Sequence, residues 1–303
     1  MHRFEGLIAA AHTPMRADGS LALEVVPLQA RVHREQGNVG VFVCGSTGEG
    51  HSLSKEERRS LSEAWSAVTD PELPMIVHVG CNALPDACDL AAHAASLGAT
   101  AISCQAPCYE KPRTIEDLVS FLVEVASSAP GTPFYYYDIP SFTNVRFPIT
   151  EVMHEAGLRI PTLQGVKFTS VDDAAQEACI MLDGGRHEVL HGCDERLLEG
   201  LELGCCAAVG STYNYAAPIY RNVIDLLEIG DRIGARAAQD ESVRLVEALL
   251  EPGVLRAGKA IMGMIGVECG APRLPATPLS AAERETLRNR LGGMNGLARP
   301  IAE

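Results

Sequence analysis

From residue 7 to residue 209 the chain alternates between short apolar runs that read as strands and longer runs that read as helices or helical loops. The strand runs fall at 7–12, 39–44, 75–79, 101–104, 134–137, 163–168, 188–191 and 206–209. Between them, helical patterns cover 23–35, 54–68, 86–97, 115–129, 150–155, 172–182 and 195–203. The spacing carries its own punctuation. Ser54-Lys55-Glu56-Glu57 has the form of a capping box, Gly98 closes the third helix, and Pro130-Gly131 ends the fourth. Eight strand–helix units in roughly 230 residues fit a (β/α)8 barrel, which typically takes about 250 residues.

A doubly wound sheet built on the same alternation would carry a Gly-x-Gly-x-x-Gly turn after its first strand, and none follows residues 7–12. The remaining part of the chain reads as helices at 219–229, 233–250, 254–264 and 281–291, with a loop at Pro272-Arg273-Leu274-Pro275 before the last. No linker or change of composition sets this part aside. The expected architecture is therefore α/β: a (β/α)8 TIM barrel with a C-terminal helical extension. Residues 1–215 form the barrel core with the functional site, and residues 216–303 form helices packed on it within the same domain.

The formal net charge of -14 excludes the basic face that nucleic acid requires, while leaving room for a small anionic ligand held by local donors. No apolar run approaches the roughly 18 residues of a membrane span. The start, Met1-His2-Arg3-Phe4-Glu5-Gly6, lacks a signal-peptide pattern. Ten cysteines occur without a Cys-x-x-Cys pair or a His-rich complement, so they read as small, buried, reduced thiols rather than a zinc site or a disulfide framework. These observations point to a cytoplasmic protein.

Within Leu163-Gln164-Gly165-Val166-Lys167-Phe168-Thr169-Ser170 one lysine interrupts an apolar strand. A lysine there either snorkels its head to water or is held where desolvation lowers its pKa and leaves a nucleophilic amine. Position bears on the choice, because a barrel carries its reactive groups at the C-terminal ends of its strands. Five polar segments fall there. They are Gly45-Ser46-Thr47-Gly48-Glu49 after the second strand, Tyr137-Asp138-Ile139-Pro140 after the fifth, Lys167 on the sixth, Gly192-Cys193-Asp194-Glu195 after the seventh and Gly210-Ser211-Thr212-Tyr213-Asn214 after the eighth. Each has a structural alternative taken singly: a common turn, a core tyrosine, or acids at a helix N-terminus. Lys55-Glu56-Glu57-Arg58-Arg59 reads as a solvated helix face.

These segments, with Tyr135-Tyr136-Tyr137-Asp138-Ile139-Pro140-Ser141, resemble those of the pyruvate-dependent class I aldolases, the family of dihydrodipicolinate synthase and N-acetylneuraminate lyase. The resemblance runs from about Gly6 to Leu274, and the Asp-Glu pair with Gly-Ser-Thr-Tyr-Asn favours the lyase branch. It implies that Lys167 forms a Schiff base with a 2-keto acid and that Tyr137 shuttles protons. It also implies that Ser46 and Thr47 hold the pyruvate carboxylate, with Thr47 linked to Tyr137 and Thr169 pointing into the barrel mouth. Gly192, Asp194, Glu195 and Ser211 would bind hydroxyls along a polyol chain. Glu49 and His78, which also sit near strand ends, take no more than supporting roles. No metal or organic cofactor is implied, and the assembly implied is a homotetramer. The reaction expected is reversible cleavage of N-acetylneuraminate to N-acetylmannosamine and pyruvate. The alternatives are another 2-keto-3-deoxy sugar acid, a synthase-like pyruvate condensation, or a non-catalytic keto-acid or sugar sensor.

The chain departs from the resemblance in four places. Phe142 stands where the synthase branch is expected to place an arginine, Asn144 replaces a glycine, Asp138 replaces an asparagine or histidine, and Cys108-Tyr109 replaces a pair of aromatics. Asn144 tolerates a left-handed backbone, and alternation along the strand points Asp138 away from Tyr137.

Overall fold

The structure, a computed structural model, describes residues 3–294 and 296–297; the outermost residues of the expected spans, 1–2 and 298–303, lie outside them, as does residue 295. Eight parallel strands close on themselves in sequence order: β1 (Gly6–Ala10), β2 (Gly40–Val43), β3 (Met75–His78), β4 (Ala101–Gln105), β5 (Phe134–Asp138), β6 (Leu163–Phe168), β7 (Glu188–His191) and β8 (Ala207–Gly210), which pairs back to β1. From β2 to β8 every strand residue is buried. A parallel barrel covers both faces of its sheet, one with its own interior and one with helices, and this is why the strands read as unbroken apolar runs.

The helices are α1 (Val26–Glu35), α2 (Lys55–Ser66), α3 (Leu84–Ser96), α4 (Ile115–Ser127), α5 (Pro140–Thr143), α6 (Ile149–Arg159), α7 (Asp173–Met181), α8 (Leu197–Glu202), α9 (Tyr213–Glu228), α10 (Arg232–Leu250), α11 (Val254–Met264) and α12 (Ala281–Leu291). The capping box at Ser54 is present, with Ser54 Oγ accepting from Glu57 N and Glu57 Oε2 accepting from Ser54 N. Gly98 follows α3 at φ +72°, a conformation that favours glycine. The turn α5 was not anticipated, and α6 runs well beyond the expected 150–155.

The core has three parts. Side chains such as Ile8, Phe42, Ile76, Tyr135 and Leu190 fill the barrel interior. A larger layer, including Val43, Trp65, Leu90, Leu122 and Val166, lies between strands and outer helices. A third packs α9 to α12 against β1 and α8, with Tyr213, Tyr215 and Tyr220 fully buried. Residue 216 falls inside α9, at the kinked Ala216 (φ -139°) ahead of Pro218. Among the described residues no helix is long and apolar enough to cross a membrane.

Two expectations are corrected. The charged run on α2 is not a solvated face throughout, because Arg58 is buried and its guanidinium donates to the carbonyls of His78 (2.6 Å) and Gly80 (3.0 Å). A buried arginine is tolerable when its donors cap the ends of inner strands in this way. The cysteines are not uniformly buried either, since Cys206 is exposed and Cys81, Cys88 and Cys108 are half-buried, though all ten are free thiols.

Candidate active site

The site lies at the C-terminal end of the barrel. On β6, Lys167 sits beside Tyr137 of β5 in the register of the sheet. Adjacent residues in register share a face, so both side chains enter the barrel interior. Lys167 is only 4 % exposed. Its Nζ stands 4.2 Å from the centroid of the Tyr137 ring and 4.3 Å from that of Phe42 on β2. Burial pushes the amine down from the usual lysine range to about 7, against the opposing charge of Asp194. The snorkelling alternative for this lysine is therefore not what the fold provides.

Tyr137 is held by its surroundings. Its hydroxyl lies 3.4 Å from Ser46 Oγ, and its ring meets Phe42 and His78 edge-on at 5.7 and 5.6 Å. It is Ser46, not Thr47 as anticipated, that reaches the phenol. Burial raises the Tyr137 pKa to about 12 while the Ser46 hydrogen bond opposes the rise. His78 is buried, and desolvation with the neighbouring Arg58 charge holds it neutral.

The turn after β2 is shaped by its backbone. Cys44 and Glu49 occupy left-handed conformations (φ 61° and 55°), and a Cβ on Gly45 would stand 2.7 Å from Phe42 Cε1. Thr13 Oγ1 donates to Gly48 O at 2.6 Å, pinning the far side of the turn. Glu49 does not face the cavity; its side chain turns to Lys259 on α11.

At the ends of β7 and β8, Asp194 Oδ2 accepts from Thr212 N (2.9 Å), Thr212 Oγ1 (2.6 Å) and Ser211 Oγ (3.5 Å). Burial raises Asp194 to about 6, while the Thr212 donors pull it down. Glu195 is half-buried and lines the cavity. Thr169 Oγ1 donates to Asp138 O at 2.6 Å, so its hydroxyl ties β5 to β6 while the side chain lines the cavity. At Gly192 a Cβ would come 2.5 Å from Thr169 Cγ2, and only glycine leaves that approach open. Asp138 sits in a buried place that raises its pKa to about 6, and Asn144 takes the left-handed backbone expected of it (φ 53°).

One cavity of about 450 Å³ is lined by Ser46, Thr47, Tyr137, Lys167, Thr169, Gly192, Asp194, Glu195 and Ser211, while Glu49 and His78, expected in supporting roles, do not line it. The sequence did not reveal its other wall, formed by Val246, Leu249 and Leu250 of α10 and Val254 and Leu255 of α11, which Ile139 and Phe142 join from the segment after β5. The exposure of Phe142 (70 %) and Leu250 (62 %) is a surface trace of this wall, but exposure is invisible in one dimension. Phe42 was also missed, being one apolar residue in an apolar strand. Among the described residues, no cluster of histidine, cysteine and carboxylate side chains is placed to hold a metal ion.

The chain is 38% identical to N-acetylneuraminate lyase of Homo sapiens over 290 residues, covering 93% of this chain and 89% of that one. To the N-acetylneuraminate lyase of Danio rerio it is 36% identical over 294 residues, covering 95% and 96%. The solved N-acetylneuraminate lyase of Proteus mirabilis superposes with a TM-score of 0.95 at 37% identity, over 98% of this chain and 100% of that one. That of Aliivibrio salmonicida gives the same score at 36% identity, over 98% and 99%. The model of the dihydrodipicolinate synthetase family matches residues 3–293, and the chain belongs to that family.

Proposed function

We propose that the chain is a class I pyruvate aldolase that cleaves N-acetylneuraminate reversibly to N-acetylmannosamine and pyruvate. The observation that carries the reading is the Lys167 amine, buried at the barrel mouth, brought near neutrality and standing 4.2 Å from the Tyr137 ring. The neutral amine attacks C2 of the keto acid. One of its protons and one from an acid leave with the carbonyl oxygen as water, and a protonated imine remains. A base removes the C4 hydroxyl proton, the C3–C4 bond breaks, and its electron pair moves toward the imine nitrogen to give a neutral enamine and the sugar aldehyde. Protonation at C3 and hydrolysis then release pyruvate and the amine. Tyr137, through its contact with Ser46, is the proton carrier. The chemistry is complete without a cofactor.

Ser46 and Thr47 serve the carboxylate of the keto acid, and Gly192, Asp194, Glu195 and Ser211 the hydroxyls of the polyol. The hydroxyl-binding role suits carboxylates, each of which accepts several hydrogen bonds. Lys167 is the one cationic side chain among the described residues lining the cavity, and Phe142 occupies the loop where a second carboxylate would want an arginine. That composition favours a neutral polyol over a second acidic substrate, and the names of the relatives point the same way. Thr169 acts from the mouth, and the C-terminal helices α9 to α12 belong to the barrel's own folding unit. The family resemblance extends the reading to a cytoplasmic homotetramer, an assembly that light scattering measures directly.

Borohydride added with pyruvate, followed by peptide mass mapping, tests the central step. A reduced pyruvate adduct on Lys167 is expected, and its absence overturns the aldolase reading. A panel of 2-keto-3-deoxy sugar acids assayed for pyruvate release tests the substrate; failure with N-acetylneuraminate alone moves the assignment to another sugar acid.

A further inference from the structure

We propose that Phe42 is a further catalytic residue, whose ring face, with that of Tyr137, holds the positive charge that Lys167 Nζ carries in the protonated imine. The proposal rests on the Schiff-base reading above and concerns a residue to which no role was assigned.

Nζ of Lys167 stands over the Phe42 ring at 4.3 Å and over the Tyr137 ring at 4.2 Å from the centroids. The two rings meet at 73° with centroids 5.7 Å apart, so their faces form a corner around the nitrogen. Among the described residues no carboxylate lies within ion-pair distance of Nζ. Asp194, the acid whose charge acts on it, is engaged with Thr212. A cation in a dry site therefore meets two negative ring faces rather than a counter-ion. Such contacts are strongest where water is excluded, and Phe42 is 1 % exposed.

The corner is built rather than incidental. His78 packs against Phe42 at 6.0 Å and against Tyr137 at 5.6 Å, so neither ring is free to turn away. Gly45 keeps the space beside Phe42 open, since a Cβ there would press on Cε1 and Cδ1 at 2.7 and 2.9 Å. A carboxylate in the same place would hold the amine as an ammonium ion and block attack on the keto acid. Ring faces favour the charge less strongly, and they leave the free amine available.

The charge is present in the protonated imine and gone in the enamine, because the electron pair of the broken bond neutralises it. Phe42 therefore raises the amount of imine that forms, and weakening its ring face does not slow the step from imine to enamine. That distinction sets the test. Phenylalanine at position 42 is replaced by its mono-, di- and trifluorinated analogues, which keep shape and burial while draining the ring face of negative potential. The pyruvate concentration for half-maximal borohydride trapping on Lys167 is then measured by intact mass. It is expected to rise stepwise with fluorination, to roughly tenfold for the trifluoro ring. Phe42→Leu should give a similar rise and Phe42→Tyr should restore the native value. Exchange of pyruvate methyl protons per trapped imine should not fall. Equal trapping across the fluorinated series, or a fall in exchange per imine, overturns the proposal. Absence of trapping in the native protein overturns the aldolase reading itself, so the two failures are distinguishable.

Discussion

Glu49 and Lys259, from the turn after β2 and from α11, form an ion pair of 2.6 Å with both side chains excluded from solvent. Lys259 Nζ also donates to Ala271 O, and the other Glu49 oxygen accepts from Arg273 N at 2.7 Å. Arg273 in turn donates to Glu57 at 2.6 Å and to Ser52 O at 2.9 Å. The C-terminal helices are thus bonded to the turn that presents Ser46 and Thr47, and Glu49 is kept in its left-handed backbone from the far end of the chain.

Removing one partner of this pair strands a charge in the interior. Lys259→Met is expected to lower unfolding free energy by about 3–5 kcal/mol, and Glu49→Gln combined with Lys259→Met to recover most of it. Urea titrations of the two variants decide this; equal losses would show that the pair is not energetically coupled.

Imine formation needs the neutral amine, and burial brings Lys167 down to about 7. Because the folded-state pKa is lowered, the reactive form predominates above about 7 and is lost below it. Trapping at limiting pyruvate should fall towards one decade per pH unit on the acid side. Asp194, raised to about 6, protonates in the same region and should add a loss specific to sugar acids. A trapping profile flat from pH 5 to pH 9 would contradict the first half.

Tyr137→Phe removes the hydroxyl that meets Ser46 and leaves the ring beside Lys167. Turnover is expected to fall by about 10²–10⁴-fold, the usual worth of a positioned proton carrier, while pyruvate is still trapped on Lys167. Steady-state rates and intact mass measure the two separately.

The acidic pair should divide its roles. Glu195 lines the cavity, and Glu195→Gln is expected to raise KM for the sugar acid by roughly tenfold, one hydrogen bond to a charged group, without changing Tm. Asp194 anchors Thr212, so Asp194→Asn should raise KM and lower Tm together. Calorimetry with steady-state kinetics checks both, and an unchanged KM for Glu195→Gln would remove it from the site.

Much of the site was legible because barrels place chemistry at strand ends. Lys167, Tyr137 and Ser46 each lie at such an end, and the fold brings them into one cavity. The expectations that failed share a cause. Arg58 lies in a charged helical run that reads the same whether its side chain meets water or the carbonyls of His78 and Gly80. Ser46 and Thr47 are neighbours, and which hydroxyl reaches Tyr137 depends on left-handed Cys44 ahead of the turn. The apolar wall from α10 and α11 comes from helices whose exposed residues look like ordinary surface leucines and valines.

The sequence by itself determined the alternation that closes the barrel and the lysine placed on its sixth strand. It did so because strand period, caps and apolar runs are local properties, written in consecutive residues. Only the tertiary structure decided what the amine feels. The Phe42 ring on β2, the Tyr137 ring on β5 and Asp194 after β7 come from three separate parts of the chain, and their places around Nζ follow from closure of the sheet. Desolvation, ring faces and opposing charge act through space, so the chemistry of Lys167 is fixed by neighbours that the chain itself holds far apart.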